Sequence, residues 1–160
     1  MYMHPSNMKS STVPILPCMC ANIRRAARTI TQRYDEALRP LGLTITQFTI
    51  LQALSIAGEI TQGRLGEILA MDSTTLTRTL GVMNRDGWIA KVYGTDRRER
   101  RLRLTREGEA ELNRGVPRWQ KSQETLRVRL GKKRWDDVTE LMHDITSLMA
   151  EQGDFDGTTI

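Results

Sequence analysis

The segment Thr61–Thr105, TQGRLGEILAMDSTTLTRTLGVMNRDGWIAKVYGTDRRERRLRLT, decides the fold of this 160-residue chain. It predicts a helix, a sharp turn, a second helix and a two-stranded hairpin with an arginine-rich tip. Apolar residues recur at spacings of three and four, which places them on one face of each helix. They are Leu65, Ile68 and Leu69 in the first helix, and Leu76, Leu80 and Met83 in the second.

The turn between these two helices is marked by Met71-Asp72-Ser73, which interrupts the apolar period. Asp72 and Ser73 are both good N-caps, because a side-chain oxygen there can accept a hydrogen bond from the first turn of the next helix. Gly87 is expected to end the second helix, since glycine adopts the left-handed conformation at little cost. The pattern therefore predicts a helix-turn-helix.

The second helix leaves a polar face outside its apolar stripe. Short hydroxyl groups at the start of a helix, followed one turn later by an arginine, suit the phosphates and base edges of a DNA major groove. The exposed set comprises Ser73, Thr74, Thr75, Thr77, Arg78, Asn84 and Arg85.

The basic charge of the chain is concentrated in one region. Residues 72–106 hold nine cations and four acids, a net charge of +5, which equals the formal net charge of the whole chain. A local basic excess is typical of a protein that binds a polyanion. An alternative is that the arginines only keep an edge strand solvated. Their place directly after a helix-turn-helix favours a nucleic-acid partner.

The composition, with 39% hydrophobic and 27% charged residues, indicates one globular domain or one domain with an oligomerisation extension. No apolar run approaches the roughly 20 residues that span a membrane. The apolar residues at 13–17 are too few for a signal peptide and are interrupted by prolines. Two cysteines in a CxC pattern do not form an extracellular disulfide framework. We expect a cytoplasmic protein without a membrane partner.

Outside the central segment, the chain predicts further helices. Residues 1–17 read as an extended or disordered arm, and a helix with an apolar stripe follows from Cys18. A second helix is capped by Thr44 or Thr46 and ended by Gly58. After the hairpin, Thr105 starts a long helix that Pro117 should kink or divide. The last helix covers about 132–151, and residues 153–160 read as a flexible tail.

The fold class that we predict is mainly α with a small β-hairpin wing. The winged helix-turn-helix covers residues 44–105, and the helical segments 18–43 and 106–152 form a dimerisation region. The apolar stripes of the terminal helices need a partner, and a two-fold homodimer would also present two recognition helices to two half-sites. The expected interface residues are Ile23, Ile30, Tyr34, Val138, Leu141, Ile145 and Leu148.

Five short motifs in this order resemble the multiple-antibiotic-resistance regulator (MarR) family, over roughly Cys18 to Ala150. They are Leu65-Gly66-Glu67-Ile68-Leu69, Asp72-Ser73-Thr74-Thr75-Leu76-Thr77-Arg78, Asp86-Gly87-Trp88-Ile89, Asp96-Arg97-Arg98 and Leu104-Thr105-Arg106-Glu107-Gly108. The resemblance implies a dimeric repressor that binds a near-palindromic operator in double-stranded DNA and releases it on a chemical signal.

The resemblance also implies which residues meet DNA. Ser73, Thr75, Thr77 and Arg78 would face the major groove, and Asp96 would orient Arg98 into the minor groove, where negative potential is concentrated. Asp96 could instead be a plain turn residue. The full candidate set is Ser73, Thr74, Thr75, Thr77, Arg78, Arg85, Asp96, Arg97, Arg98 and Arg100.

Cys18 and Cys20 stand at the predicted start of the first helix. The family includes peroxide-responsive members in which a cysteine at this place hydrogen-bonds a tyrosine, and Cys20 and Tyr34 match those positions. Ile45 replaces the second tyrosine of those regulators. A helix N-terminus favours the thiolate. Residues two apart on a helix point away from each other, which argues against an internal bridge. Packing of small apolar side chains and binding of a thiophilic ion remain open alternatives.

We find no catalytic, metal or cofactor motif in the sequence. His4 and His143 are far apart, and no Ser/His/Asp or HExxH pattern is present. The family often binds small aromatic acids or phenols, so such an effector is a second candidate signal beside oxidation at Cys20. Two other functions remain as rivals to the repressor. One is a peroxidase-like thiol enzyme, and the other is a non-specific architectural DNA binder.

Overall fold

The structure, a computed structural model, describes residues 13–93 and 100–151. It confirms a mainly helical fold with a small sheet. The helices are α1 (Met19–Leu38), α2 (Ile45–Ala57), α3 (Gln62–Leu69), α4 (Ser73–Arg85), α5 (Arg106–Leu130) and α6 (Lys132–Glu151), and the strands are β1 (Ile60–Thr61), β2 (Ile89–Tyr93) and β3 (Arg100–Leu104). A 3₁₀ turn at Arg39–Leu41 joins α1 to α2.

Threonine side chains cap three of the helices. Thr44, rather than Thr46, caps α2 in a reciprocal box with Gln47. Thr61 caps α3 by accepting the N–H of Arg64. Thr105 caps α5 by accepting the N–H of Gly108, and its hydroxyl also donates to the carbonyl of Gly87 at 2.6 Å. The start of α5 is thereby tied to the exit of α4.

The sheet has one strand more than the sequence predicts. β1 pairs antiparallel with β3, and β3 pairs antiparallel with β2, giving the order β1-β3-β2. Leu102 lies opposite both Ile60 and Lys91 across its two neighbours. Ile60, Ile89 and Leu102 are buried, whereas Arg103 is exposed. The alternation of apolar and charged residues in β3 therefore separates a core face from a solvent face.

One part of the core lies where α2 packs against α5. Phe48 of α2 is fully buried and lies against α5 at Gly115, where an added Cβ would come within 2.5 Å of the ring. A second close approach occurs at Gly108, where a Cβ would lie 2.0 Å from the carbonyl oxygen of Trp88. Both glycines are needed because no larger residue fits between these elements.

The prediction that Pro117 divides the long helix is wrong. α5 runs without a break from Arg106 to Leu130 and contains Pro117. The chain breaks instead at Gly131, whose φ of +79° is the left-handed region that favours glycine. A proline removes only one backbone hydrogen bond, and the packing of α5 against α1, α2 and β3 supports the helix around it.

The two terminal helices bury little of their apolar stripes within one chain. Of α1, only Tyr34 and Leu38 are buried, and Ile30 is 39% exposed. On α6, Val138, Leu141 and Leu148 are 46%, 52% and 53% exposed. Another departure from the predicted pattern is Ile68 of α3, which is 52% exposed rather than packed with Leu65.

Residues 13–17 form no helix or strand, but side chains of α1 hold them. The side-chain amide of Asn22 accepts a hydrogen bond from the N–H of Leu16 and donates one to the carbonyl of the same residue. The Arg25 guanidinium donates to the carbonyl of Pro14 at 2.8 Å. The rest of the predicted arm and the tail at 153–160 lie outside the described residues.

Among the described residues, no single helix has the length and apolarity to span a membrane. The helical segments Met19–Leu41 and Ile45–Ala57 have sufficient length and apolarity only when taken together, and the chain bends by 81° between them.

Candidate nucleic-acid interface

The turn between α3 and α4 is built by a residue in the left-handed conformation. Ala70 ends α3 with φ +48°, and the N–H of Met71 donates to the carbonyl of Gly66 at 3.0 Å. An added Cβ on Gly66 would lie 3.3 Å from Leu76 Cδ2, so the two helices pack closely at this point. This geometry fixes the angle at which α4 leaves α3.

Asp72 caps α4. Its Oδ1 accepts the backbone N–H of Thr75 at 2.8 Å. This backbone hydrogen bond is the main cause that lowers the pKa of Asp72 from its usual value, since it stabilises the ionised carboxylate. Of the two caps that the sequence allows, the structure selects Asp72, and Ser73 becomes the first helical residue.

α4 buries one face and leaves the other free. Leu76, Leu80 and Met83 point into the core, as the spacing predicts. Thr74, Arg78 and Arg85 lie on the opposite, exposed side of the helix. Ser73 and Thr77 are also exposed, and Thr75 is half-buried. Arg85 is paired with Asp86, with 3.2 Å between its Nε and Oδ1. Of the six candidate residues of α4, five are therefore exposed and one is half-buried.

A side chain of α3 that the sequence analysis missed reaches this surface. Gln62, the first residue of α3, donates from Nε2 to Thr77 Oγ1 at 2.7 Å. The two residues are fifteen positions apart, so no helical period connects them. The available signal was a polar residue directly after the Thr61 cap, in the turn of α3 that faces the next helix.

The hairpin that follows α4 carries further cations. Arg103 is exposed and Arg101 is half-buried on β3, and Lys91 is exposed on β2. The backbone of Arg100 pairs with Tyr93 at the last described position of the hairpin. The predicted tip contacts at Asp96, Arg97 and Arg98 lie outside the described residues, as does the side chain of Arg100.

The two cysteines are exposed free thiols at the start of α1. Cys20 lies in its first turn. Cys18 is the N-cap, with an extended backbone of φ −91° and ψ 121°. Because Cys18 lies outside the regular helix, the helical spacing that argues against an internal bridge does not apply to it. Among the described residues, no group of three or more His, Cys, Asp or Glu side chains could hold a metal ion.

Tyr34 does not meet Cys20 within one chain. Fourteen residues along a straight helix separate them, or about 21 Å. The Tyr34 hydroxyl instead donates to Gln123 of α5. Burial raises the pKa of Tyr34, so its hydroxyl stays protonated as this bond requires.

A basic groove of about 620 Å³ lies between α1 and α5, beside Tyr34. Four cations and no carboxylate are among its described lining residues, which gives the groove a positive potential. The lining consists of Thr29, Ile30, Arg33, Tyr34, Ala37, Arg118, Lys121, Ser122, Thr125, Leu126 and Arg129.

Known proteins resemble this chain in sequence and in structure. A family model described as MarR family matches residues 41–101. The HTH-type transcriptional regulator YwoH of Bacillus subtilis is 34% identical over 87 residues, which is 54% of this chain and 64% of that protein. The multiple antibiotic resistance protein MarR of Salmonella typhimurium is 38% identical over 86 residues, or 51% and 60% of the two chains. The chain thus spans less than two thirds of these curated relatives.

A solved structure matches over most of the chain. The Mycobacterium tuberculosis transcriptional regulator MosR in complex with DNA is 37% identical, with a TM-score of 0.77. The match covers 86% of this chain and 99% of MosR. It therefore extends well beyond the helix-turn-helix.

The Asp72 cap makes the stability of α4 depend on pH. Because the pKa of Asp72 is lowered on folding, its contribution is present above the unfolded value of about 4 and is lost as pH falls through the folded pKa. We expect Asp72→Ala to lower the Tm at pH 7 by a few degrees, and by less at pH 3. Asp72→Asn, which keeps an acceptor oxygen, should lose less and show a flatter pH dependence. Thermal melts of the three proteins that coincide at pH 7 would contradict the cap.

Proposed function

Because this chain belongs to the MarR family of transcriptional regulators, we propose that it is a repressor that binds a specific near-palindromic DNA operator as a homodimer. The observation that carries the proposal is the outward face of α4, where short hydroxyls and arginines stand beside a basic hairpin. These are the groups that bind phosphates and base edges in a major groove. We also propose a cytoplasmic location, where a regulator of this kind would meet its DNA.

The two rival functions fit the chain less well. A thiol peroxidase is disfavoured because the family consists of transcription regulators rather than enzymes. An architectural DNA binder would spread lysines over its surface, whereas the excess charge here is mostly arginine and falls within residues 72–106. Arginines confined to one region of the chain suit binding to one DNA sequence in a fixed orientation.

The homodimer is supported by the apolar stripes that one chain leaves uncovered. Val138, Leu141 and Leu148 of α6 are about half exposed, and the exposed Ile30 continues the apolar surface of α1. Apolar surface left exposed on these two helices needs a partner. A two-fold axis through this region would set two copies of α4 against successive major grooves. We assign residues 18–43 and 106–152 to this interface and residues 44–105 to DNA binding.

Two features support a chemical signal that releases the DNA. Cys18 and Cys20 are exposed where α1 begins, so an oxidant or electrophile can reach them. The basic groove between α1 and α5 suits a small aromatic acid, whose ring would lie on Ile30 and Leu126 while its carboxylate meets Arg118 or Lys121. Either event would act on α1 and α5, the helices assigned to the interface.

DNA recognition can be tested by selecting sequences from a pool of random duplexes. We expect the protein to enrich one near-palindromic sequence. Arg98→Ala should weaken binding to that sequence by about 1–3 kcal/mol, as for the loss of one good groove contact. Arg103→Ala, on the strand rather than at the tip, should matter less. Equal losses at both positions would mean that the hairpin acts only as diffuse charge, and enrichment of no sequence would refute the specific repressor.

The dimer can be tested by placing a charge on the exposed stripe. Leu141→Asp should yield monomers, because two buried carboxylates would face each other across the axis. The mass measured by light scattering should fall from twice 18.3 kDa to 18.3 kDa. DNA binding should fall with it, since two linked contacts become one. Ile56→Asp is the matched control, because Ile56 is 88% exposed on α2, outside the proposed interface. A native mass near 18.3 kDa with intact DNA binding would refute the dimer.

Thiol sensing can be tested with Cys20→Ser and Cys18→Ser, each assayed on the selected DNA before and after an organic hydroperoxide. We expect the unchanged chain to release DNA and Cys20→Ser to stay bound. Release by Cys20→Ser would refute sensing at Cys20. If Cys18→Ser alone stays bound, the sensing residue is Cys18. If both variants stay bound, the two thiols act together, and reversal by a reductant would identify a disulfide.

A further inference from the structure

We propose that Gln62 is a positioning residue that makes the hydroxyl of Thr77 a fixed hydrogen-bond donor toward DNA, so that Thr77 selects for an acceptor at one point of the operator. The proposal rests on the proposed function. It concerns a residue of α3, outside the set of DNA-contacting residues predicted from the sequence.

The observation that carries the inference is the direction of one hydrogen bond. Gln62 Nε2 donates to Thr77 Oγ1 at 2.7 Å. A hydroxyl group has one hydrogen and two lone pairs. Since the amide occupies a lone pair, the Thr77 hydrogen remains available to an acceptor. Thr77 is exposed on α4, so that acceptor comes from outside the chain.

Six other threonines in the helices show an alternative that is open to Thr77 without Gln62. They turn the hydroxyl back on their own helix and donate to the carbonyl four residues earlier, with distances of 2.8–3.0 Å. This set comprises Thr29, Thr49, Thr79, Thr125, Thr139 and Thr146. A hydroxyl bound in this way has no hydrogen left for DNA. Among the hydrogen bonds of the described residues, Thr77 makes only the one with Gln62, and it accepts there.

The position of Gln62 keeps this arrangement rigid. It is the first residue of α3, directly after the Thr61 cap, and its side chain is half-buried beside α4. A hydroxyl held in one orientation loses less entropy on binding than a free rotor does. The acceptors that DNA offers are guanine N7 and O6, adenine N7, thymine O4 and the phosphate oxygens.

The test uses the duplex that the unchanged protein selects, with Gln62→Ala, Thr77→Val, the double variant and Thr77→Ser. Thr77→Val should weaken binding about tenfold and Gln62→Ala severalfold. If Gln62 acts through Thr77, the double variant should bind no worse than Thr77→Val. Thr77→Ser, which keeps the hydroxyl, should retain most of the affinity. Additive losses in the double variant would overturn the proposal, and thermal melts verify that each variant is folded.

The acceptor is identified by repeating these measurements on duplexes with single base-pair changes. A base-edge acceptor makes the effect of Thr77→Val disappear at one substituted base pair. A phosphate acceptor makes the effect uniform over all sequences. The second outcome would overturn selection by Thr77, although DNA contact would remain.

Gln62→Glu gives the sharpest result because it reverses the hydrogen bond. A carboxylate can only accept, so the Thr77 hydrogen turns inward and the hydroxyl can only accept from DNA. The preference at the identified base pair should then shift toward a donor, either cytosine N4 or adenine N6. Arg64→Gln is the control for charge, because it also changes the charge of α3 by one negative unit, while Arg64 points to the other side of the helix from Gln62. It should weaken binding uniformly without shifting the preference.

An unchanged base preference in Gln62→Glu would overturn the positioning role while leaving the proposed function intact. If the unchanged protein enriches no sequence from the random pool, the proposed function fails, and this inference fails with it. The two failures are therefore distinguishable.

Discussion

The close approach of α5 to the rest of the chain is the constraint on which this structure depends. At Gly108 the helix lies against the carbonyl of Trp88, and at Gly115 it lies against the ring of Phe48, so that neither site admits a Cβ. α5 has 25 residues and is about 38 Å long. One helix therefore reaches from the sheet, past the core, to α6. The helix therefore contacts both the segment proposed to bind DNA and the rest of the proposed dimerisation region.

Single side chains tie each end of α5 to its neighbours. Thr105 caps the helix and donates to Gly87 at the exit of α4, so the recognition helix, β3 and α5 meet at one hydroxyl. Farther along, Gln123 accepts from Tyr34 of α1. A displacement of α1 would reach α4 through these two contacts. In the proposed dimer both half-sites would have to match the repeat of the DNA helix, so a small shift would be enough to weaken binding. This gives a physical route for a signal at the start of α1 or in the groove.

Features set by local rules could be predicted from the sequence. The buried residues of α4 follow from spacing, its end from Gly87, and its cap from Asp72. The failures are tertiary. β1 has only two residues, and it is a strand only because β3 passes beside it. Pro117 stays inside a helix because neighbouring elements support it. The contact of Gln62 with Thr77 could not be predicted, because it depends on the angle between α3 and α4. That angle is set at Ala70, which adopts the left-handed conformation.

The cap of α4 also affects which groups of the proposed interface would bind phosphates and which would distinguish one DNA sequence from another. A helix N-terminus without an acidic cap can offer its first N–H groups to a phosphate. Here Asp72 takes the N–H of Thr75 and adds a negative charge at that end. In the proposed interface, phosphate binding would therefore come from the arginines of α4 and the hairpin, and it should weaken steeply with salt. The hydroxyls at the start of α4 carry no charge, so in this interface they would add affinity only where the DNA sequence supplies a matching partner. A neutral amide at Gln62 suits that role, because it orients a hydroxyl without adding a charge that would act on every sequence equally.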